Sequence, residues 1–447
     1  CISYTRAFSL SPQGVSLVLM MAAGVCNVSK RCLRYKNMDF PLLDYMEAYL
    51  RNKYDKEVNP QGIINMGTSE NKIIGDIVTA KLNEQNEFKE EHAHYGDFRG
   101  TARFREVMAA FFERYMKPFD KIDPNDMVVY NGCASVVKAL SATILDAGEA
   151  ILIPTPYYGA FDQDLYIENE IVRFPVNLSS KPHPETKMPF ELTLNDLETA
   201  YTKATEQNLT VRALLLCNPQ NPLGIVYSEK QIFECMEFAE RHSLHIISDE
   251  MYMLSIFKEG VSMKSTLAVK GPINPNRLHV LWGFSKDFGL SGVRAAALYT
   301  RNKDISTALR NVAPFYSIAL YIQAMLENLV TDYDWLENVL IPTNHKRLRE
   351  CHRVVTDGLE KANIPIVPSC SGLYVWIDLR KYLNPLSFEA EKNLADVLIE
   401  NGSYINAGKV FSCCEPGWFR VVIASDPEMI KIGIERVVNT LKKLKDK

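Results

Sequence analysis

No two of the ten cysteines stand at CxxC spacing, and none falls into a zinc-site pattern. Scattered at positions 1, 26, 32, 133, 217, 235, 351, 370, 413 and 414, they read as buried free thiols of a reducing compartment, with the cytoplasm as default. An excess of one charge is also lacking. A formal net charge of −4 over 447 residues gives no electrostatic reason to expect nucleic acid. No apolar run reaches the roughly 20 residues that a bilayer span requires, so no membrane partner is expected. The run VSLVLMMAAGVC (15–26) is too short, and with only Arg6 upstream it makes a poor signal-peptide core. The expectation there is a segment packed on the body or a loose tail. No internal repeat is present.

What the chain does have, from about residue 125 to 300, is alternation. Short apolar runs occur at MVVY (127–130), AILIPTP (150–156), VRALLLCNP (211–219), LHIISDE (244–250), LHVLWGFS (278–285) and AAALYT (295–300). Between several of them lie amphipathic stretches such as SEKQIFECMEFAERHS (228–243), where Ser228 is placed to cap a helix. Near-continuous Val/Ile/Leu runs suit strands buried on both faces, and alternation with helices predicts an α/β core with a mostly parallel sheet. KPHPETKMP (181–189) reads as an exposed loop. Beyond about 340 the pattern changes to a long charged helix (344–362), strand-like GLYVWIDL (372–379) and FRVVIA (419–424), and a closing amphipathic helix (427–445). That is a smaller α+β unit. The expected division is an N-terminal segment contributing to the small domain (1–75), a large domain (76–335) and a C-terminal small domain (336–447).

Ligands of open α/β sheets bind beyond the carboxyl ends of the strands. Those ends carry NGCAS (131–135), TPYYG (155–159), NPQNPLG (218–224), SDEMY (248–252) and SKDFGLSGVR (285–294). Singly, each also reads as something plainer: a turn, a helix cap at Asp249, a packed Tyr158, a solvated Lys286. Together they supply what pyridoxal 5'-phosphate requires. Lys286 offers an amine for a Schiff base, and Asp249 would keep the ring nitrogen protonated so that the ring acts as an electron sink. Asn221 and Tyr252 could hydrogen-bond the ring hydroxyl oxygen, and Tyr158 could stack on the ring. The amides of Ala134 and Ser135 at a helix start, the Ser285 hydroxyl and the Arg294 guanidinium would hold the phosphate.

On these blocks, together with GIINMGTSENK (62–72) and EPGWFRV (415–421), the sequence resembles the 1-aminocyclopropane-1-carboxylate (ACC) synthase branch of the class I/II, fold-type-I aminotransferases. The resemblance runs from about residue 45 to near the end. It implies a seven-stranded large-domain sheet, a homodimer with a site shared across the interface near Tyr95–Arg99, and an α-amino acid substrate. It also implies that Arg420 clamps the substrate carboxylate and that Glu70 contacts the substrate.

The expected reaction begins with Cα deprotonation by Lys286, with Tyr252 and Asp249 alongside, and continues to transamination or elimination. ACC formation from S-adenosylmethionine is the further branch, and a catalytically weak cofactor-binding protein with a regulatory or partner-binding role is the alternative. Two positions depart from the family pattern. Phe98 stands where a tyrosine reaches the neighbouring subunit's site, and Gly283 stands where a serine binds phosphate. Two lost donors predict phosphate anchoring weaker by about 1–3 kcal/mol unless something compensates.

Overall fold

The computed structural model describes residues 28–38, 41–84 and 87–445, so the apolar 15–26 segment lies outside the described residues. The chain divides into two compact units, Cys1–Phe40 and Pro41–Lys447. In the first, the described helix is Lys30–Lys36, whose N-terminus is capped by Ser29 accepting from the Cys32 amide at 3.1 Å.

The second unit carries twelve strands among its described residues. β1 (Ile64–Asn65) comes first. It is followed by β2 (Met127–Tyr130), β3 (Ala150–Thr155), β4 (Val172–Asn177), β5 (Val211–Cys217), β6 (His245–Asp249), β7 (Leu278–Gly283) and β8 (Ala296–Thr300). The last four are β9 (Tyr374–Asp378), β10 (Ser403–Tyr404), β11 (Asn406–Ala407) and β12 (Trp418–Val422).

Strands β2 to β8 form one sheet in the order β2-β8-β7-β6-β5-β3-β4. β8 runs antiparallel to both its neighbours, and the remaining pairs are parallel. The reason for the continuous apolar runs is visible in the packing. Along β3, Ile151 and Ile153 face one core while Ala150 and Leu152 face another, and β5 divides Leu215 from Leu214 and Leu216 in the same way. Helices cover both faces, so every second residue cannot be polar. The six runs read from the sequence are all strands. The seventh, β4, escaped the pattern because it is an edge strand, only partly buried, with Pro175 inside it. Proline is tolerated at an edge, where its missing N–H breaks no ladder.

The segment 228–243 forms the helix Glu229–Arg241 with a reciprocal cap: Ser228 Oγ accepts from the Gln231 amide at 3.2 Å, and Gln231 Oε1 accepts from the Ser228 amide at 2.9 Å. Near the C-terminus, β11-β12-β9 make an antiparallel sheet, and helix Ile341–Lys361 packs on helix Pro427–Lys445. β1 pairs in parallel with β10, and the connection continues with the Val422 amide donating to Met66 O at 2.8 Å and the Lys72 amide to Ala424 O at 3.0 Å. Residues 64–72 are thereby tied to strands more than 300 positions away.

Candidate active site

β7 ends at Gly283, and the chain turns at once into the four-residue helix Phe284–Asp287, which carries Lys286. Asp287 fixes this turn. Its buried carboxylate accepts from Ser255 Oγ at 2.6 Å, Trp282 Nε1 at 2.8 Å and the Leu254 amide at 3.0 Å. Trp282 in turn packs edge-on against Phe284, with ring centroids 4.9 Å apart, and at a tilt against Phe111 at 4.7 Å. From the other side Asn71 Nδ2 donates to Lys286 O at 3.0 Å. Replacing Asp287 with alanine would leave an indole N–H and an amide buried without acceptors. The expected loss is about 3 kcal/mol of stability, read by denaturant unfolding.

The lysine opens into a cavity of about 110 Å³ at the carboxyl ends of the parallel strands. Ala134, Tyr158, Asn221 and Asp249 line it, as do Tyr252, Ser285, Lys286 and Arg294. Eight of the residues singled out from sequence are therefore brought together. Four are placed elsewhere. Ser135 lies in the first turn of helix Cys133–Ile144 but is not part of the lining. Glu70 is half-exposed and pairs with Lys72 at 3.4 Å. Phe98 packs against Tyr95, ring centroids 5.7 Å apart, and is not part of the lining. Arg420, only 3% exposed, stands behind Asn221 and donates to Asn221 Oδ1 at 3.0 Å and to Gly67 O at 2.6 Å. Its guanidinium lies 4.5 Å from the Phe411 ring centroid and 5.4 Å from that of Tyr374, and its Nε is buried with no hydrogen-bond partner among the described residues.

Burial, helped by Arg420 and Arg294, pulls the Lys286 amine down to about 8, and that amine donates to Ser69 O. Burial pushes the Asp249 carboxyl up to about 7, although its Oδ1 accepts from the Met251 amide at 3.1 Å. Tyr158 and Tyr252 are pushed up by burial and remain neutral phenols; Tyr252 Oη lies 3.4 Å from Ser69 Oγ. Gly132, at φ 108°, caps helix Cys133–Ile144, and the Arg294 guanidinium fills the space a Cβ at 132 would need. A helix N-terminus and a guanidinium thus meet in the same cavity as the desolvated Asp249 carboxyl.

Sequence reasoning passed over Cys133, Asp164 and Ser291, which also line the cavity. Asp164 is pushed up to about 7 by burial and by the charge of Asp249. Nothing in the sequence separates it from Asp162, which is engaged by Tyr157 Oη at 2.8 Å and Arg173 Nε at 3.0 Å.

The sheet order and the lysine after β7 define a fold-type-I scaffold. Solved structures agree on the fold: the aspartate aminotransferase of Thermus thermophilus with maleate superposes with a TM-score of 0.73 at 19% identity, covering 93% of this chain and all of that one. A Pyrococcus protein superposes at 0.76 with 20% identity, covering 93% and 99%. The family model "Aminotransferase class I and II" matches residues 61–437, and the chain belongs to that family. It is 42% identical to the human "probable inactive 1-aminocyclopropane-1-carboxylate synthase-like protein 2", over 90% of this chain and 71% of the relative. It is 40% identical to the mouse "1-aminocyclopropane-1-carboxylate synthase-like protein 1", over 88% and 79%. To the ACC synthase 1 of Prunus mume it is 32% identical, over 89% and 82%. The cofactor of this family is pyridoxal 5'-phosphate, and the cavity's donor set fits it: a guanidinium and a helix start for a phosphate, a carboxyl for a ring nitrogen and an amine for the aldehyde.

The depressed Lys286 amine has a measurable consequence. Only the neutral amine attacks an aldehyde. With an ordinary lysine value near 10.4 its fraction would be negligible at neutral pH, whereas at about 8 it reaches one half at pH 8. The rate of covalent capture of pyridoxal 5'-phosphate will therefore rise about tenfold per unit below pH 8 and level off above it, as followed by stopped-flow absorbance.

Proposed function

We propose that this chain is a pyridoxal-phosphate enzyme acting on a small α-amino acid, with Lys286 as the covalent attachment point and the base that takes the Cα proton. The observation that carries this reading is a partly buried, deprotonation-prone lysine sharing one cavity with the buried Asp249 and with Arg294 at a helix N-terminus. When bound, the cofactor supplies an electron sink for the pair left at Cα.

The chain's own residues do the rest. Arg294, Ser285 and the amides at Ala134 and Ser135 hold the phosphate. Asp249 would hold a proton on the ring nitrogen, Asn221 and Tyr252 would hydrogen-bond the ring hydroxyl oxygen, and Tyr158 would pack on the ring. Arg420 orients the substrate by its carboxylate, and Glu70 contacts the substrate. Lys286 Nζ would take the Cα proton and hold it as an ammonium for return to the reacting skeleton. The division into an N-terminal segment (1–75), a large domain (76–335) and a small domain (336–447) belongs to the same reading. So does a homodimer that places Phe98 of each chain near its partner's site. The aromatic Tyr95, 93% exposed beside Phe98, is suited to such an interface.

Transamination or elimination is favoured over ACC formation, because Phe98 has no hydroxyl to offer and Gly283 no side chain. A second reading, a cofactor-binding protein with regulatory rather than catalytic use, is favoured by the same two departures and by the "probable inactive" name of the human relative. A product screen separates them. Incubation with S-adenosylmethionine, methionine, cystathionine and aromatic amino acids should yield 2-oxo acids or eliminated thiols. Release of ACC with methylthioadenosine at comparable rates overturns the preference between reactions. A cofactor-loaded protein that turns over none of them supports the regulatory reading.

A further inference from the structure

We propose that Cys133 and Gly283 form an interdependent pair, in which the Cys133 thiol fills the space of a side chain at 283 and itself donates to the cofactor phosphate. The inference rests on the pyridoxal-phosphate reading above.

A Cβ built at Gly283 would lie 3.0 Å from Cys133 Sγ, 2.9 Å from Ala295 O and 3.1 Å from Ala296 Cβ, all closer than ordinary van der Waals contact. The Ala295 carbonyl is fixed backbone, whereas the Cys133 thiol is the one removable part of the obstacle, so a side chain at 283 is crowded by both and relieved in part when the thiol is absent. Sulfur takes up the room the hydroxymethyl would have used. Cys133 is also the first residue of helix Cys133–Ile144, and its side chain lines the cavity together with Ser285, Lys286 and Arg294. It thus stands at the helix start beside Arg294, where the helix amides suit an anion, while also feeling the charge of Asp249.

The state of the thiol fits the role. Burial pushes it well above its ordinary value, so it remains an S–H donor instead of a thiolate that would repel a phosphate. The other cysteine in the cavity wall, Cys217, already donates to Pro219 O at 3.3 Å. Cys133 is accordingly a cofactor-positioning residue, compensating for the donor that Gly283 lacks.

The test compares pyridoxal 5'-phosphate with pyridoxal, which has the aldehyde and ring but no phosphate. Dissociation constants are measured by spectral titration of the full chain, with a thermal melt for every variant. Cys133→Ala should weaken binding of the phosphorylated form roughly three- to tenfold and leave pyridoxal unchanged. Cys133→Ser, which keeps a donor, should stay within about twofold of the wild type. Gly283→Ser should lose affinity in the presence of Cys133 and recover part of it when combined with Cys133→Ala. The proposal is overturned if Cys133→Ala affects both ligands equally or neither, or if the cost of Gly283→Ser is the same with and without the thiol. Should Gly283→Ser fail to fold, the Cys133 variants against the two ligands still decide. A wild-type protein that binds neither ligand overturns the cofactor reading instead, which keeps the two failures distinct.

Discussion

Lys286→Ala will abolish covalent retention of pyridoxal 5'-phosphate and slow exchange of the substrate Cα proton by about 10²–10⁴-fold. The size of the effect follows from position. Asp287 holds the turn through three buried hydrogen bonds and Asn71 holds the Lys286 carbonyl, so the side chain has a fixed origin and reaches one place. Among the described residues no second lysine lines the cavity. Borohydride reduction followed by peptide mass spectrometry should find the adduct on the peptide containing residue 286 in the wild type and nowhere in the variant. Lys286→Arg keeps the positive charge and cannot form the link, so it should behave as the alanine variant does. If Lys286→Ala retained a reducible adduct, the assignment of the lysine would be wrong. Non-covalent binding should persist in both variants, because Asp249 and Arg294 remain.

Arg420→Lys should cost about two orders of magnitude in affinity for an amino acid while leaving cofactor binding intact. The guanidinium is buried beside two aromatic rings, with Nη1 on Asn221, Nη2 on Gly67 O and Nε unspent. An ammonium cannot present a planar fork, and in this desolvated setting a lost charge-assisted contact costs about 2–5 kcal/mol. The decisive comparison is between an amino acid and the amine that lacks its carboxylate. Wild type should discriminate strongly between them by the change in cofactor absorbance, and Arg420→Lys should discriminate far less. Equal discrimination by both proteins would place the carboxylate elsewhere.

Much of this site was legible because strand-end chemistry leaves local signatures. Asp249 ends β6 and Lys286 follows β7 by three residues, so their proximity follows once two runs are read as neighbouring parallel strands. Asn221 was legible in the same way, from a proline- and glycine-bearing turn after β5. Arg420 required resemblance, because no periodicity brings β12 near a turn some 200 residues earlier. Cys133 was quoted within NGCAS and passed over, since its meaning depends on what stands opposite at Gly283. Asp164 carries no signal at all, being one of two aspartates in a short helix. β4 was hidden because edge strands need neither continuous apolar faces nor freedom from proline.

By itself the sequence determined the α/β class, the strand ends that would carry the ligand, and the cofactor whose chemistry needs a lysine, a carboxylate and an anion site together. These are local matters of periodicity, turn chemistry and residue type. Only the tertiary structure decided which groups share one low-dielectric space. Burial there lowers the Lys286 amine and raises the Asp249 carboxyl. The same enclosure sets a thiol against the bare Cα of Gly283, turning an absence in the sequence into a contact in the fold. Desolvation and steric exclusion depend on neighbours distant in the chain, and no window of sequence contains them.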